Sequence, residues 1–598
     1  NIKSKIDFKI KAKKFKILHI SSCFPRKGID ILLQAYANSF SCSDDVSLII
    51  KTFDNPHNKI DSLLEKARQT CSNFPDVILI KENLNDSQLK SLYKQADLLV
   101  APSRGEGFGL PIAEAMLIGI PVITTNWGGQ LDFCNSENSW LIDYDYVPSK
   151  SHFKLDFSYW AEPSCSHLGE LIKEVYLLPK EEVSKKTRSA MSVVEKMTWN
   201  KVALKNKKFV EGQLITQNYH SIRLGFISTY NSRCGIAYYT KHLLEFIPGK
   251  IFLFTPISEP SNNHIMNDWE IIPSWEIDSK GDDFSLLIDK INSLNITSLI
   301  IQFNFSFFDF EKFQTLINFL SKARINTIII MHSTIAPVKN NSKKVSKLIN
   351  CLRQCNRILV HTIGDLNRLK DHGLIDNVSL FPHGILDFSP NYKKPSLLRR
   401  LFRSENKIRI ASYGFCLPNK GFKQLILAVE ILRKQNVNIY LDIYSAIYND
   451  DYLYVYEELV SLVNELNLAN YIFINNQFMS DINTLNILSK YDAIVFPYQE
   501  SKESSSASVR HGLASNRPVL VTPSSIFNDV LDLVDVCTGF NPEDISEGII
   551  KYIINKNSLH TKISNNEDER FEKITNRKFS LLAKRLYSMT KSLEINIE

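Results

Sequence analysis

Two distant stretches of this chain carry one pattern, and that repetition limits the possible folds more than anything else in it. KILHISSCFPRKG, ending at Lys27-Gly28, returns as KIRIASYGFCLPNKG, ending at Lys420-Gly421. ADLLVAPSRGEGFGLPIAEAMLIGIPVITT returns as YDAIVFPYQESKESSSASVRHGLASNRPVLVTP. Lys27 to Glu106 spans 79 positions, and Lys420 to Glu503 spans 83. Two sheets in the same phase imply an internal domain duplication. Within each copy, short apolar runs alternate with helix-length stretches, the pattern of a parallel, doubly wound α/β sheet. In the first copy this predicts strands at KILHIS, Val46–Lys51, Val77–Ile80, Leu98–Ala101 and Pro121–Thr125. Helices are expected at Ile29–Phe40, Ile60–Cys71, Ser87–Lys94 and from Pro111 to about Ile118.

Such sheets bind ligands beyond the carboxyl ends of their strands. There the chain places a glycine-rich turn, RGEGFG, that runs straight into a helix. Pro111 suits the first turn of that helix, and Gly119 suits its end. A helix N-terminus beside such a turn is a ready anion site. Glu106 in the turn and Glu114 in the helix can reach different parts of one phosphorylated ligand. Arg26 and Lys27, in the FPRKG turn, could grip a diphosphate, each charge-assisted contact being worth ~1.5–3 kcal/mol. An exposed basic turn is the plainer alternative for that pair.

The Glu, seven residues, Glu spacing, with GFGLP between and GIPVI after, resembles the donor-sugar site of the family 4 retaining glycosyltransferases. The resemblance covers nearly the whole chain, most specifically 16–130, 224–240 and 408–522. It implies the GT-B architecture, repeated Rossmann-like α/β domains with the active site in a cleft. It also implies that Glu106 faces the donor sugar, Glu114 binds the ribose and Lys27 takes the phosphates, with Gly109 and Leu110 on the ligand side of the loop. Arg26 would stand in for an upstream arginine whose place falls near Ser22. In the second copy Lys420 and Glu503 would take the matching roles, but His511, with Arg510 beside it, stands where Glu114 stood. A histidine can donate to a ribose hydroxyl, yet it cannot accept from two hydroxyls as a carboxylate does.

Residues 222–390 resemble the N-terminal domain of the same enzymes. Cys234-Gly235, in NSRCGIAYYTKHLLEF, would let backbone approach the ligand, and His332, ending the strand IIIMHST, would contact the donor sugar. His361 and His383 end further strands and rank below it. A histidine at a strand end is otherwise a structural residue. The expected order is a basic lead-in (1–15), a C-terminal-type domain (16–213), an N-terminal-type domain (222–390), a linker (391–406) and a second C-terminal-type domain (407–598). The first module's own N-terminal-type domain is expected upstream of Asn1. Helices are expected at Ser158–Tyr176 and Met197–Gln213, with Trp160 and Trp199 as packing anchors.

The implied reaction moves a sugar, with retention, from a nucleotide-diphosphate sugar to a glycan or lipid-linked acceptor. The resemblance leans toward O-antigen or capsule synthesis in bacteria and toward mannose donors. A lysine and a helix dipole can meet the leaving group's charge, so neither a metal nor a cofactor is expected. Asp44-Asp45 and Asp450-Asp451 are both read as loop residues rather than metal ligands. The alternatives are a degraded module that binds or scaffolds without turnover, and a nucleotide-sugar epimerase of the same fold.

Composition narrows the partners. The net charge is only +7 over 598 residues with the lysines dispersed, which favours a solvated surface over a nucleic-acid site. That mild positive balance suits peripheral contact with the inner face of a membrane. The ten cysteines form no C-x-x-C pair or zinc-type cluster, and this predicts reduced thiols and a cytoplasmic setting. Cys351 and Cys355, one helical turn apart, read as core. No apolar run approaches the ~18–20 residues of a membrane span.

Overall fold

The computed structural model describes residues 9–151, 153, 155–213, 222–232, 234–259, 269–278, 284–336, 343–388, 407–447, 449–500, 506–554 and 564–594. Glu503 and the expected linker at 391–406 lie outside these residues. The chain divides into two compact units, Asn1–His220 and Ser221–Glu598.

The first unit is built on a six-stranded parallel sheet. Its strands are β1 (Phe15–Ile20), β2 (Val46–Lys51), β3 (Asp76–Ile80), β4 (Leu98–Ala101), β5 (Val122–Thr125) and β6 (Trp140–Ile142), in the order β3-β2-β1-β4-β5-β6. Covered on both faces by helices, the central strands are apolar along their length rather than alternating, as buried parallel strands require. Each Ile or Leu buried there contributes ~1.5–3 kcal/mol relative to exposure. The order reverses between β1 and β4, so the loops after these two strands flank the crevice where such sheets take ligands.

The basic lead-in is tied to this unit from Ile10 onward, and two expectations for the unit are corrected. Ile10 and Ala12 pack on the core, and the backbone N–H groups of Ile10 and Lys13 donate to Gln95 and Ser47 at 3.1 and 2.9 Å. Tyr159–Pro163 is a strand, not the start of a helix. It forms β8 and pairs antiparallel with β7 (Tyr144–Pro148). Aromatic residues favour this pairing, with Tyr146 and Tyr159 in edge contact at 5.2 Å, and Pro163 would break a helix interior. The helix starts at Cys165, capped by the Ser164 hydroxyl. Trp160 is buried as an anchor should be, but Trp199 is 84% exposed. On the same helix, Trp199–Gln213, Val202 and Leu204 are exposed as well.

The second unit holds two sheets. One contains β9 (Leu224–Ile227), β10 (Ile251–Pro256), β11 (Trp269–Trp275), β12 (Ser298–Phe303), β13 (Asn326–Met331), β14 (Arg357–Val360) and β15 (Val378–Leu380), in the order β11-β10-β9-β12-β13-β14-β15. β10 and β11 are strands that the sequence pattern does not predict. Pro273 is tolerated in β11 because that strand lies at the sheet edge. The other sheet contains β16 (Ile408–Phe415), β17 (Ile439–Ala446), β18 (Ile472–Asn475), β19 (Ala493–Phe496), β20 (Val519–Val521) and β21 (Asp535–Val536). Its order, β18-β17-β16-β19-β20-β21, is that of the first unit.

The duplication extends to single atoms. Lys16 N–H donates to Asp97 Oδ2 at 2.8 Å, and Arg409 N–H donates to Asp492 Oδ2 at 2.8 Å. Gly28 (φ +66°) and Gly421 (φ +68°) take the left-handed conformation at matching turns. A Cβ at Gly28 would stand 2.0 Å from the Pro102 carbonyl oxygen, and one at Gly421 would stand 1.8 Å from that of Pro497. Only glycine fits either place.

The two sheets of the second unit share one apolar core, which includes Leu243 and Ile330 from one domain and Phe496, Leu513 and Phe527 from the other. The helix Phe579–Glu594 returns to the first of these domains. Phe579 lies so close to Gly384 that a Cβ there would meet its ring at 2.4 Å, and Glu594 accepts from the Thr297 and Ser298 hydroxyls at 2.7 and 2.6 Å. No helix among the described residues is long and apolar enough to cross a membrane.

Candidate functional site

In the first unit the turn after β1 and the loop after β4 meet at the switch point, tied backbone to backbone. Arg104 N–H donates to Arg26 O at 2.7 Å, and Arg26 Nη1 donates to Gly105 O at 3.0 Å. Arg104, which the sequence reading passed over, holds the whole corner. Its buried guanidinium bridges Asp30 (2.8 and 2.7 Å) and Glu162 (2.7 and 2.5 Å), donates to Pro25 O and lies over the Trp160 ring. Burial works against its charge, but the two carboxylates raise its pKa above the ordinary arginine value. A lone arginine directly after a buried apolar strand was the available signal.

On this frame the Lys27 ammonium pairs with Glu106 Oε1, which also accepts from Ser103 Oγ at 2.9 Å. Arg26 Nη1 stands 3.8 Å from Glu106 Oε2. Burial lowers the Lys27 pKa, against the pull of Glu106. Gly109 caps the helix Leu110–Ile118 with φ +85°, and Gly119 ends it at φ +85°; Pro111 falls in the first turn. Phe108 and Leu110 are exposed, 39% and 59%. Glu114 is exposed one turn into the helix, and one carboxylate oxygen accepts from Tyr93 Oη at 2.7 Å. The structure therefore brings Arg26, Lys27, Glu106, Gly109 and Leu110 to one corner, beside an uncapped helix N-terminus, with Glu114 on that helix. Pro111 carries no N–H, and the Ile112 and Ala113 N–H groups donate to Gly109 O at 2.9 and 3.1 Å, so an anion arriving there meets the Leu110 N–H, the helix dipole and a lysine whose present partner is a carboxylate.

The second unit repeats the frame with other side chains. Gln499 N–H donates to Asn419 O at 2.9 Å, the counterpart of the Arg104–Arg26 bond. Tyr498 replaces Ser103, and the buried Lys420 ammonium lies 4.0 Å from the centre of its ring. Arg510, expected to bind ligand, has its guanidinium turned into the protein. It is 2% exposed, pairs with the buried Asp529 and donates to Ser506 O. Its helix, Ala507–Ala514, packs that face into the core between the two domains. His511 is also occupied: Nε2 bonds Asp481 Oδ1 at 2.9 Å, and Nδ1 faces Ala507 O at 3.3 Å.

In the facing domain Cys234 caps the helix Gly235–Leu244, and Gly235 borders open space, with nothing within 4 Å of where its Cβ would be. His332 does end β13, but its nitrogens turn inward, Nε2 to Gln302 at 2.7 Å and Nδ1 to His361 Nε2 at 3.3 Å. His361 Nδ1 donates to Phe381 O at 2.9 Å. Burial holds His332 and His383 well below the ordinary histidine pKa, and holds His361 below it too. The three rings surround the buried Tyr239 at 4.8–5.5 Å between centroids. Neither the ring cluster nor Asp481 and Asp529 was read from sequence. Asp481 had one signal, its repetition of Asp86 in the first copy.

Comparisons with known proteins bear on the fold and the family. The chain is 32% identical over 127 residues to the lipopolysaccharide core biosynthesis mannosyltransferase LpsB of Rhizobium meliloti (strain 1021), a match spanning 20% of this chain and 35% of that protein. It is 31% identical over 130 residues to the capsular polysaccharide biosynthesis glycosyltransferase CapM of Staphylococcus aureus, spanning 22% of this chain and 33% of that protein. The chain thus spans about a third of the length of these relatives. A solved glycosyltransferase structure from Rickettsia africae ESF-5 is similar at TM-score 0.50 and 16% identity, covering 63% of this chain and 99% of that one, and shows the fold, which is GT-B. The family described as Glycosyl transferases group 1 matches residues 2–145 and 394–570, the two copies of the repeat. That match takes in more than half of the residues, and the chain belongs to this family.

Proposed function

We infer that this chain is a retaining glycosyltransferase that moves a sugar from a nucleotide-diphosphate donor to a hydroxyl of a glycan or lipid-linked saccharide. Its setting would be bacterial surface polysaccharide synthesis, with mannose as the donor sugar, as the names of the relatives suggest. The observation that carries this reading is the corner of the first unit, where Lys27 and Glu106 pair beside the start of Leu110–Ile118, which has no side-chain cap. As the bond between sugar C1 and the diphosphate oxygen breaks, negative charge grows on the diphosphate. Lys27 and the helix dipole meet that charge without a metal. The acceptor oxygen bonds C1 from the same face, and its proton passes to the departing phosphate oxygen. Glu106, released from Lys27 by the incoming diphosphate, turns to the donor sugar, and Glu114 holds the ribose hydroxyls.

For the second unit the reading differs. Arg510, His511 and His332 all spend their polar atoms inside the protein, which supports a module that binds without turning over. The test is transfer and hydrolysis with GDP-, UDP- and ADP-sugars, with and without chelator, for the wild type, Lys27→Ala, Glu106→Gln and Lys420→Ala. Loss of a charge-assisted contact costs ~1.5–3 kcal/mol, so Lys27→Ala and Glu106→Gln should each lose about ten- to a hundredfold in kcat/KM. Lys420→Ala and chelator should change little. Turnover that survives both first-unit substitutions refutes the assignment.

A further inference from the structure

The second unit contains a cluster that sugar transfer does not use. Asp481 opens the helix Asp481–Leu488, and its two carboxylate oxygens point to two different histidines. Oδ1 accepts from His511 Nε2 at 2.9 Å, within the same domain. Oδ2 accepts from His242 Nε2 at 3.0 Å, on the helix Gly235–Leu244 of the other domain. Side-chain exposures of 16%, 29% and 14% for His242, Asp481 and His511 place the cluster largely out of solvent.

The first copy shows what has changed. Asp481 repeats Asp86, likewise the first residue of its helix. Leu488 stands where Tyr93 holds Glu114, and His511 stands where Glu114 itself is exposed. We propose that the second unit has turned the place of the second carboxylate into a clasp between its two domains, with Asp481 as the positioning residue that binds His511 on one side and His242 on the other.

The ring nitrogens give the clasp its charge. His242 Nδ1 faces Glu245 Oε2 at 3.7 Å while Nε2 bonds Asp481. His511 Nδ1 faces a carbonyl while Nε2 bonds Asp481. His242 has acceptors at both nitrogens, and only the imidazolium donates at both. Burial opposes charge on His242, but Asp481 and Glu245 outweigh it and push its pKa up to about 9. Burial likewise opposes charge on Asp481, and the two histidines hold it well below the ordinary carboxylate range. The other groups against the cluster are the Tyr413 ring of β16, 5.0 Å from His511 and pushed up to about 12 chiefly by burial, and the apolar Phe579 ring beside His242. A raised histidine pKa gives stability that is complete below the unfolded value of 6.5 and lost as the pH rises through about 9. The clasp is therefore closed at neutral pH and opens in alkali.

Histidine NMR titration of the full chain tests this without a sugar donor, so the result stands apart from the transfer assay. In the wild type one histidine, removed by His242→Gln, should titrate near 9. Asp481→Asn should return it toward 6.5 and speed hydrogen exchange in Gly235–Leu244 at least tenfold at pH 7. Asp481→Glu, which keeps the charge, should restore most of both. A His242 that titrates near 6.5 in the wild type, or is indifferent to Asp481→Asn, overturns the clasp. So does Asp481→Glu behaving like Asp481→Asn in a protein that is still folded.

Discussion

Replacing Gly28 by alanine should loosen the corner that holds Lys27 against Glu106, and the cost follows from two separate geometric facts. The residue has φ +66°, where an L side chain carries a penalty of ~1–2 kcal/mol. Its Cβ would also stand 2.0 Å from the Pro102 carbonyl oxygen, when carbon contacts normally sit about 3.5 Å apart. The β4 loop would have to retreat by more than about 1 Å, dragging Ser103 and Arg104 with it, and such overpacking costs ~1–3 kcal/mol. The total, about 3 kcal/mol, corresponds to an opening equilibrium raised roughly a hundredfold. Hydrogen exchange read on peptides from β4 and the helix Leu110–Ile118 should accelerate by that factor. Gly107→Ala is the control, since that glycine has ordinary φ and nothing within 4 Å of its Cβ position. Gly421→Ala, facing Pro497 O at 1.8 Å, should do the same to β19 and Ala507–Ala514. If Gly28→Ala and Gly107→Ala exchange alike, the argument from close approach is refuted.

Two further outcomes test the electrostatics of the first unit. Arg104→Lys keeps a charge but loses the fork that bridges Asp30 and Glu162 and the plane that covers Trp160; urea unfolding should show a loss of about 2–4 kcal/mol. His19 is buried, with Nδ1 on Val100 O at 2.8 Å, and burial lowers its pKa to about 4. The unfolded chain therefore binds a proton below pH 6.5 that the folded chain refuses down to about 4, so stability should fall by about 3 kcal/mol across that window. His19→Gln should flatten the urea midpoint measured from pH 7 to pH 4.

Much of the fold was legible because parallel strands buried on both faces are plain apolar runs. Val46–Lys51, Leu98–Ala101, Ser298–Phe303, Asn326–Met331 and Arg357–Val360 have the bounds their composition suggests. Legibility fails where burial is one-sided, and it also fails at β10, IFLFTP, although that strand is buried along its whole length. The edge strand β11 contains a proline, and the hairpin of β7 and β8 mixes aromatics with polar residues, so neither shows a clean period. At the candidate site, spacing and glycine pattern picked out residues that the sheet topology then gathered at the ends of β1 and β4. What spacing does not reveal is whether a polar atom is already taken. Arg510 and His511 sit on the helix that repeats Leu110–Ile118, yet Asp529 and Asp481, 19 and 30 positions away, occupy them. Such pairings depend on which loops meet, and the local pattern carries no trace of that.

The returning helix Phe579–Glu594 has a consequence for how the protein is made. The domain of β9 to β15 leaves the ribosome with Gly384, Tyr239 and the β12 terminus lacking the cover that Phe579 and Glu594 give them. Roughly 200 residues must follow first, which at ~5–20 residues per second takes about 10–40 s. Throughout that interval an apolar face waits for its last helix. Chaperone occupancy during synthesis should therefore peak on this domain and end only when the terminal helix emerges.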